Sequence, residues 1–157
     1  MKVKIKKIHK DAVIPTYAKD GDAALDLTAT SKEFDSDGNV VYGTGLAFEI
    51  PKGFVGLLFP RSSNAKQDLL LSNSVGILDS GYRGEVMFKF KPSYHESVLE
   101  EQEKYKFGGV FWGENSYNIG DRIGQIIILP YPQIEFEEVE ELSDSERGKG
   151  GYGSTGK

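Results

Sequence analysis

Short apolar runs broken by glycine or proline at nearly every junction constrain this chain most. VKIKKI at 3–8 alternates at first, followed by VVYGTGLAFEI at 40–50, FVGLLF at 54–59 and DLLLSNSVGIL at 68–78. EVMFKF at 85–90, IGQIIIL at 123–129 and IEFEEV at 134–139 complete the set. Runs of this length, bounded by turn residues, read as strands. Many such strands at regular spacing favour an all-β, jelly-roll-like barrel or double-sheet sandwich over an α/β fold. At 157 residues the chain suits one domain with a real core, and no internal repeat is visible.

Composition excludes several classes. There is no cysteine, so no disulfide framework exists, and two histidines, His9 and His95, are too few for a structural zinc site. No apolar run approaches membrane-spanning length, and Met1 to Lys10 lacks the apolar stretch of a signal peptide. The expected location is cytoplasmic, with no membrane partner. A formal net charge of −5 argues against general nucleic-acid binding, and any site for an anion must gather its cations locally.

Three segments depart from the strand pattern. SVLEEQEKYKF at 97–107 is charged and free of glycine and proline, which predicts a short helix. It lies in a long connection with the aromatic-rich 108–117, where Phe111 and Trp112 are expected to pack onto the barrel. The carboxylate-rich run 135–146 reads as a solvated strand edge leading into a mobile arm, and Lys2, Lys4, Lys6, Lys7 and Lys10 as the wet face of a first strand. RGKGGYGSTGK at 147–157 carries five glycines and no hydrophobic period. It suits either a disordered terminus or a segment that folds over a polyanion, with Tyr152 free to stack on a planar ring. Gly151 to Lys157 formally spells a P-loop, but no helix and no Ser/Thr follows the lysine, so that reading fails.

Candidate chemistry is scattered. Asp79, in VGILDSGYRGEV, ends an apolar strand at a tight turn, where a rigidly held carboxylate suits a general base. From this motif alone, a turn-forming aspartate is the stronger reading, and Tyr82 shares the ambiguity. The PRSS block places Arg61, Ser62 and Ser63 after another strand. A guanidinium with hydroxyls binds phosphate well, yet from this block alone a surface turn is the stronger reading. GDRIGQ adds Arg122, read as a rim salt bridge, and Gln125. DGDAALDL at 20–27 fails the EF-hand pattern. Asp26, pointing opposite Leu25 and Leu27, is the carboxylate best placed to serve a magnesium ion held by substrate phosphates.

The order of these blocks says more than any one of them. DAALDL, PRSS, GILDSGYRGEV, GDRIGQ and RGKGGYGSTGK together resemble the five ordered motifs of the homotrimeric dUTPase family, from residue 20 onward. The resemblance implies a jelly roll with a core at 1–142 and a glycine-rich arm at 143–157 that closes over the active site. It implies hydrolysis of dUTP to dUMP and pyrophosphate, removing dUTP and supplying dUMP for thymidylate synthesis. Asp79 becomes the base that activates water for attack on the α-phosphorus, and Asp26 holds a water of the Mg²⁺ chelated by the triphosphate. Tyr82 packs on the deoxyribose, while Asn73 and the backbone around Gly76 read the uracil edge. Arg61, Ser62, Ser63 and Gln125 contact phosphates from a neighbouring subunit of a homotrimer with shared active sites. Arg147, Tyr152, Gly153, Ser154 and Thr155 close over the nucleotide.

Departures and rivals accompany the resemblance. Gly81 stands where many members carry a second acid, and Tyr152 replaces the more usual phenylalanine. The connection at roughly 93–117 looks longer than in compact members, resembling an insert of Gram-positive and phage relatives. Such an insert implies a possible regulatory protein partner. dCTP deaminase is similar in its Arg-Ser-Ser and hairpin, but needs a glutamate ten residues beyond the hairpin aspartate, where this chain has Lys89. A non-catalytic nucleotide-sensing module is the remaining rival, and the joint presence of Asp26, Asp79 and Gln125 argues against it.

Overall fold

The computed structural model describes residues 1–93, 106–107, 110–111 and 115–151. Two four-stranded antiparallel sheets face each other. The first has the order β2-β12-β6-β8, with β2 at Leu25–Thr28, β6 at Phe54–Phe59, β8 at Gly76–Leu78 and β12 at Arg122–Pro130. The second has the order β3-β4-β9-β7, with β3 at Ser31–Phe34, β4 at Val40–Gly43, β7 at Leu69–Leu71 and β9 at Met87–Pro92. A further pair joins β1 (Lys4–Lys7) to β5 (Leu46–Glu49), and a small ribbon joins β10 (Lys106–Phe107) to β11 (Val110–Phe111). The all-β, jelly-roll-type expectation holds.

Alternation explains how the sheets close. Leu27, Ile123, Ile126, Leu58 and Leu78 from the first sheet meet Val40, Tyr42, Phe88, Phe90 and Leu69 from the second in one buried cluster. Their neighbours along each strand face out, as period-two geometry requires, except at Gly124, which is buried beneath the Phe88 ring. At the centre, the Tyr42 ring packs edge-on to Phe90 and Tyr117 at 5.9 and 6.0 Å. Its hydroxyl donates to the Tyr117 carbonyl at 2.9 Å, and burial pushes its pKa up to about 12. Among the described residues, no helix is long and apolar enough to cross a membrane.

Several expectations need correction. The run 40–50 breaks at Thr44 and Gly45, whose φ of +66° turns the chain from β4 into β5. The run 68–78 divides likewise around Ser72–Val75. Two strands form outside the apolar runs: β2, LDLT, alternates over only four residues, and β3, SKEF, has a single apolar residue. The strand expected at 134–139 does not form. Residues 131–149 carry no strand and are exposed throughout, Phe136 being 89 % exposed. An extended segment needs a partner ladder, and among the described residues none pairs with it. The helix expected at 97–107 is wrong at its C-terminal end, where Lys106 and Phe107 pair with Phe111 and Val110. The rest of that segment, like Trp112 and the Phe111 side chain, lies outside the described residues, as does most of the proposed partner-binding insert.

Candidate active site

Three of the scattered motifs converge on the outward face of the first sheet. Asp26 on β2 lies opposite Gln125 on β12, which lies opposite Phe59 at the end of β6. Leu27 turns into the core with no exposure, so Asp26 must turn out. Two residues past Phe59, Arg61 reaches back over the sheet. Its Nε donates to Asp26 Oδ1 at 2.7 Å and its Nη1 to Ser63 Oγ at 3.1 Å. Both partners of the ion pair are about three-quarters buried, with 23 % and 25 % of their side chains exposed. Gln125 donates Nε2 to the Pro60 carbonyl at 2.9 Å, tying the PRSS segment to β12. Arg122 donates Nη1 to Asp26 Oδ2 at 3.0 Å. Two guanidiniums on one carboxylate leave local positive charge in an acidic protein, as an anion site requires.

The PRSS segment is held from behind as well. Ser62–Lys66 forms a 3₁₀ helix, and Asn64 within it donates to the Leu69 carbonyl at 2.9 Å and accepts from the Tyr117 hydroxyl at 3.2 Å. Tyr117 in turn is fixed by Tyr42. Core packing therefore reaches the phosphate-type residues through an unbroken chain of contacts.

Asn73, Gly76 and Tyr82 belong to a second locality. Leu71 to Val75 turn sharply, with Ser74 at φ 60° and hydrogen bonds from Ser74 N to Leu71 O and from Val75 N to Asn73 O. A serine in the left-handed region costs on the order of 1 kcal/mol, and such strain concentrates where function needs a fixed backbone. Below this turn a cavity of about 250 Å³ opens between the sheets, bounded by Leu58, Leu71, Asn73, Gly76 and Phe88. Gly76 is buried against Leu58; a Cβ there would stand 3.0 Å from Leu58 Cβ. Ser72 Oγ at its edge is buried without a partner. The cavity is apolar with a few convergent polar groups, the usual make-up of a small-ligand site.

Asp79 follows β8 directly, its carbonyl accepting from Tyr82 N at 3.0 Å. Its carboxylate is exposed and has no hydrogen bond or ion pair among the described residues. Tyr82 folds over Gly84 and donates its hydroxyl to the Glu85 carbonyl at 3.0 Å. Nothing stands within 4 Å of where a Cβ on Gly81 would lie, so the missing acid there leaves open space.

Within one chain the two localities stay apart. Asp79 comes one residue after Leu78, which is opposite Gly56, whereas Asp26 and Gln125 share a row with Phe59. Four residues along the strands and three strand spacings across put Asp79 on the order of 20 Å from Asp26. Arg147 lies in its own turn, donating Nε to the Gly150 carbonyl at 3.0 Å. Tyr152, Gly153, Ser154 and Thr155 lie outside the described residues. The rim salt bridge expected of Arg122 is made, with Asp26 as its partner, and that partner depends on a strand irregularity that no residue type announces.

The donor set fits magnesium only as a guest of the substrate. Among the described residues no group of three His, Cys, Asp or Glu side chains could hold a metal. Asp26 has about four lone-pair sites and accepts one N–H on each oxygen, so capacity remains for a metal-bound water.

The chain is similar to known proteins over almost its whole length. The dUTPase family model matches residues 10–101 and 114–156, leaving 102–113, inside the long connection, unmatched. The deoxyuridine 5'-triphosphate nucleotidohydrolase of Nautilia profundicola is 39 % identical, with all of both chains covered. That of Clostridium tetani is 35 % identical over 99 % of this chain and 97 % of its own. Among solved structures, the Staphylococcus bacteriophage 80alpha dUTPase with dUpNHpp is 29 % identical with a TM-score of 0.78, covering 99 % of this chain and 98 % of that one.

Proposed function

This chain belongs to the dUTPase family and is a dUTP-hydrolysing enzyme, and on that premise we propose how its residues divide the reaction. Water attacks the α-phosphorus of dUTP while the Asp79 carboxylate accepts its proton. The bond from the α-phosphorus to the bridging oxygen breaks, and dUMP and pyrophosphate leave. Asn73 and the backbone at Gly76 take the uracil edge in the cavity between the sheets. Gly76 packs on Leu58 there, and a ring of different edge chemistry leaves buried donors and acceptors unpaired. Tyr82 lies beside the sugar. Arg61, Ser62, Ser63 and Gln125 bind phosphate oxygens; Arg61 spends two N–H groups on Asp26 and Ser63 and keeps its others for ligand. A magnesium ion chelated by the triphosphate, with one of its waters on Asp26, would neutralise charge on the transferring phosphoryl group. Core residues 1–142 carry these groups, and the arm 143–157, with Arg147, Tyr152, Gly153, Ser154 and Thr155, closes over the nucleotide and excludes water.

The convergence of Asp26, Arg61 and Gln125 from three distant parts of the chain carries the reading. Its separation from Asp79 supports active sites shared between copies of the chain, as in a homotrimer: the hairpin of one and the arginine cluster of another embrace one triphosphate.

The test measures pyrophosphate release from dUTP with Mg²⁺, beside dCTP, dTTP and UTP. Asp79→Asn should lower kcat about 10²–10⁴-fold and leave the melting temperature unchanged, because the carboxylate has no partner to lose. Mixing Asp79→Asn with Arg61→Ala under conditions that exchange subunits should restore part of the activity. Turnover by Asp79→Asn near the wild-type rate sinks the base assignment, and failure to complement sinks the shared site.

A further inference from the structure

The register of β12 against β2 contains one irregularity, and it decides which way Arg122 faces. Gln125 pairs with Asp26 and Gly124 with Leu27, but Arg122 pairs with Thr28, so Ile123 is an extra residue. In an unbroken ladder Ile123 would oppose Thr28 on the outer face, and Arg122 would oppose Ala29 and turn into the core. The bulge exchanges them. Ile123 goes inward with no exposure, while Arg122 emerges beside Asp26 with 56 % of its side chain exposed. Bulges next to active sites commonly re-aim a side chain in this way. The outcome is a carboxylate gripped on both oxygens, by Arg61 on Oδ1 and by Arg122 on Oδ2.

We propose that Arg122 is a positioning residue for dUTP hydrolysis, acting through Asp26. This rests on the reading that Asp26 receives a water of the magnesium-bound triphosphate. A carboxylate bonded through one oxygen swings about that bond. Bonded through both, its plane is set, and its remaining lone pairs keep a constant direction toward the ligand. Arg122 also supplies the second positive charge that leaves the cluster net cationic once Asp26 has neutralised Arg61. A group that orients a metal-site carboxylate from behind changes metal affinity without touching the metal.

The experiment uses the full chain and the non-hydrolysable analogue dUpNHpp, with binding followed by calorimetry in Mg²⁺ and in EDTA. Arg122→Gln should weaken Mg²⁺-dependent binding about tenfold or more, while binding in EDTA changes far less. Arg122→Lys, which keeps the charge but loses the planar fork, should recover part of the loss. In an Asp26→Asn background, Arg122→Gln should have no further effect. Equal losses in Mg²⁺ and EDTA that persist in the Asp26→Asn background overturn the inference, because Arg122 then binds phosphate itself. A lowered melting temperature with unchanged Mg²⁺-dependent binding also overturns it, leaving a rim ion pair. If Arg122→Gln fails to fold, the Mg²⁺-to-EDTA ratio of Arg122→Lys decides in the same way. Asp26→Asn alone having no effect on Mg²⁺-dependent binding would remove the underlying role of Asp26. An Asp26 effect without an Arg122 effect removes only the present inference.

Discussion

Tyr42→Phe removes a single oxygen from the centre of the protein. Tyr42 is fully buried, and its hydroxyl donates to the Tyr117 carbonyl at 2.9 Å. Phenylalanine keeps the edge-on ring contacts with Phe90 and Tyr117, so packing is conserved and no large cavity opens. What is lost is the hydrogen bond to the Tyr117 carbonyl and the weaker one shared with the Ser116 side chain, together with the solvation of a carbonyl left buried and unpaired. Together these amount to about 2 kcal/mol, within a range of roughly 1–3. For a chain of 157 residues that corresponds to a fall of about 4–8 °C in melting temperature. The assay is urea unfolding at fixed protein concentration, with an unchanged m-value as the check on two-state behaviour. A loss below about 0.5 kcal/mol would show that the Tyr117 carbonyl is otherwise satisfied, and would refute the reasoning. Alkaline pH supplies a second check. Burial raises the Tyr42 pKa from 10.0 to about 12 in the folded state. The folded protein thus keeps a proton that the unfolded chain releases. The stability associated with that proton is complete below pH 10 and is lost as pH rises toward 12. Tyr42→Phe lacks this loss, so the two proteins should approach each other in stability at alkaline pH.

Acid stability should depend on Asp35. Its carboxyl is held well below the usual value of 3.8 by the hydrogen bond from Lys89, then by the backbone and side chain of Asn39. A depressed folded pKa gives stability that is present above pH 3.8 and lost as pH falls below it, so Asp35→Asn should flatten the acid limb of the stability profile. Urea midpoints at pH 7 and pH 3 read this directly, and an unchanged difference between them would count against it. Gly124→Ala should destabilise by about 1–3 kcal/mol through overpacking, because its Cβ would strike the Phe88 ring, which is stacked on Phe90 at 6.3 Å. A thermal melt superimposable on wild type would show that Phe88 can yield.

Much of the fold could be read from the order of residues alone, and the reason is local. FVGLLF at 54–59 is β6 over its whole length, and the 123–129 run is β12 with one residue more at each end. Alternation records which face of a strand is buried, so Asp26 between two leucines already pointed outward. The motifs DAALDL, PRSS and GDRIGQ named three residues that the fold does bring together. IEFEEV has the composition of a strand and fails to become one, since strand formation needs a partner and composition does not record one.

What the amino-acid order determined by itself was the inventory: an all-β chain, its turn points, its family motifs, and the residue types able to bind a triphosphate. What the tertiary structure decided was register and distance. Periodicity is blind to one inserted residue, so only the β12–β2 ladder shows that Ile123 is swallowed and Arg122 delivered to Asp26. Motif order is equally blind to separation across a sheet, so only strand pairing shows Asp79 standing apart from the arginine cluster it is proposed to work with. Both are non-local quantities, set by which strands pair and at which residue, and a linear pattern carries no coordinate for either.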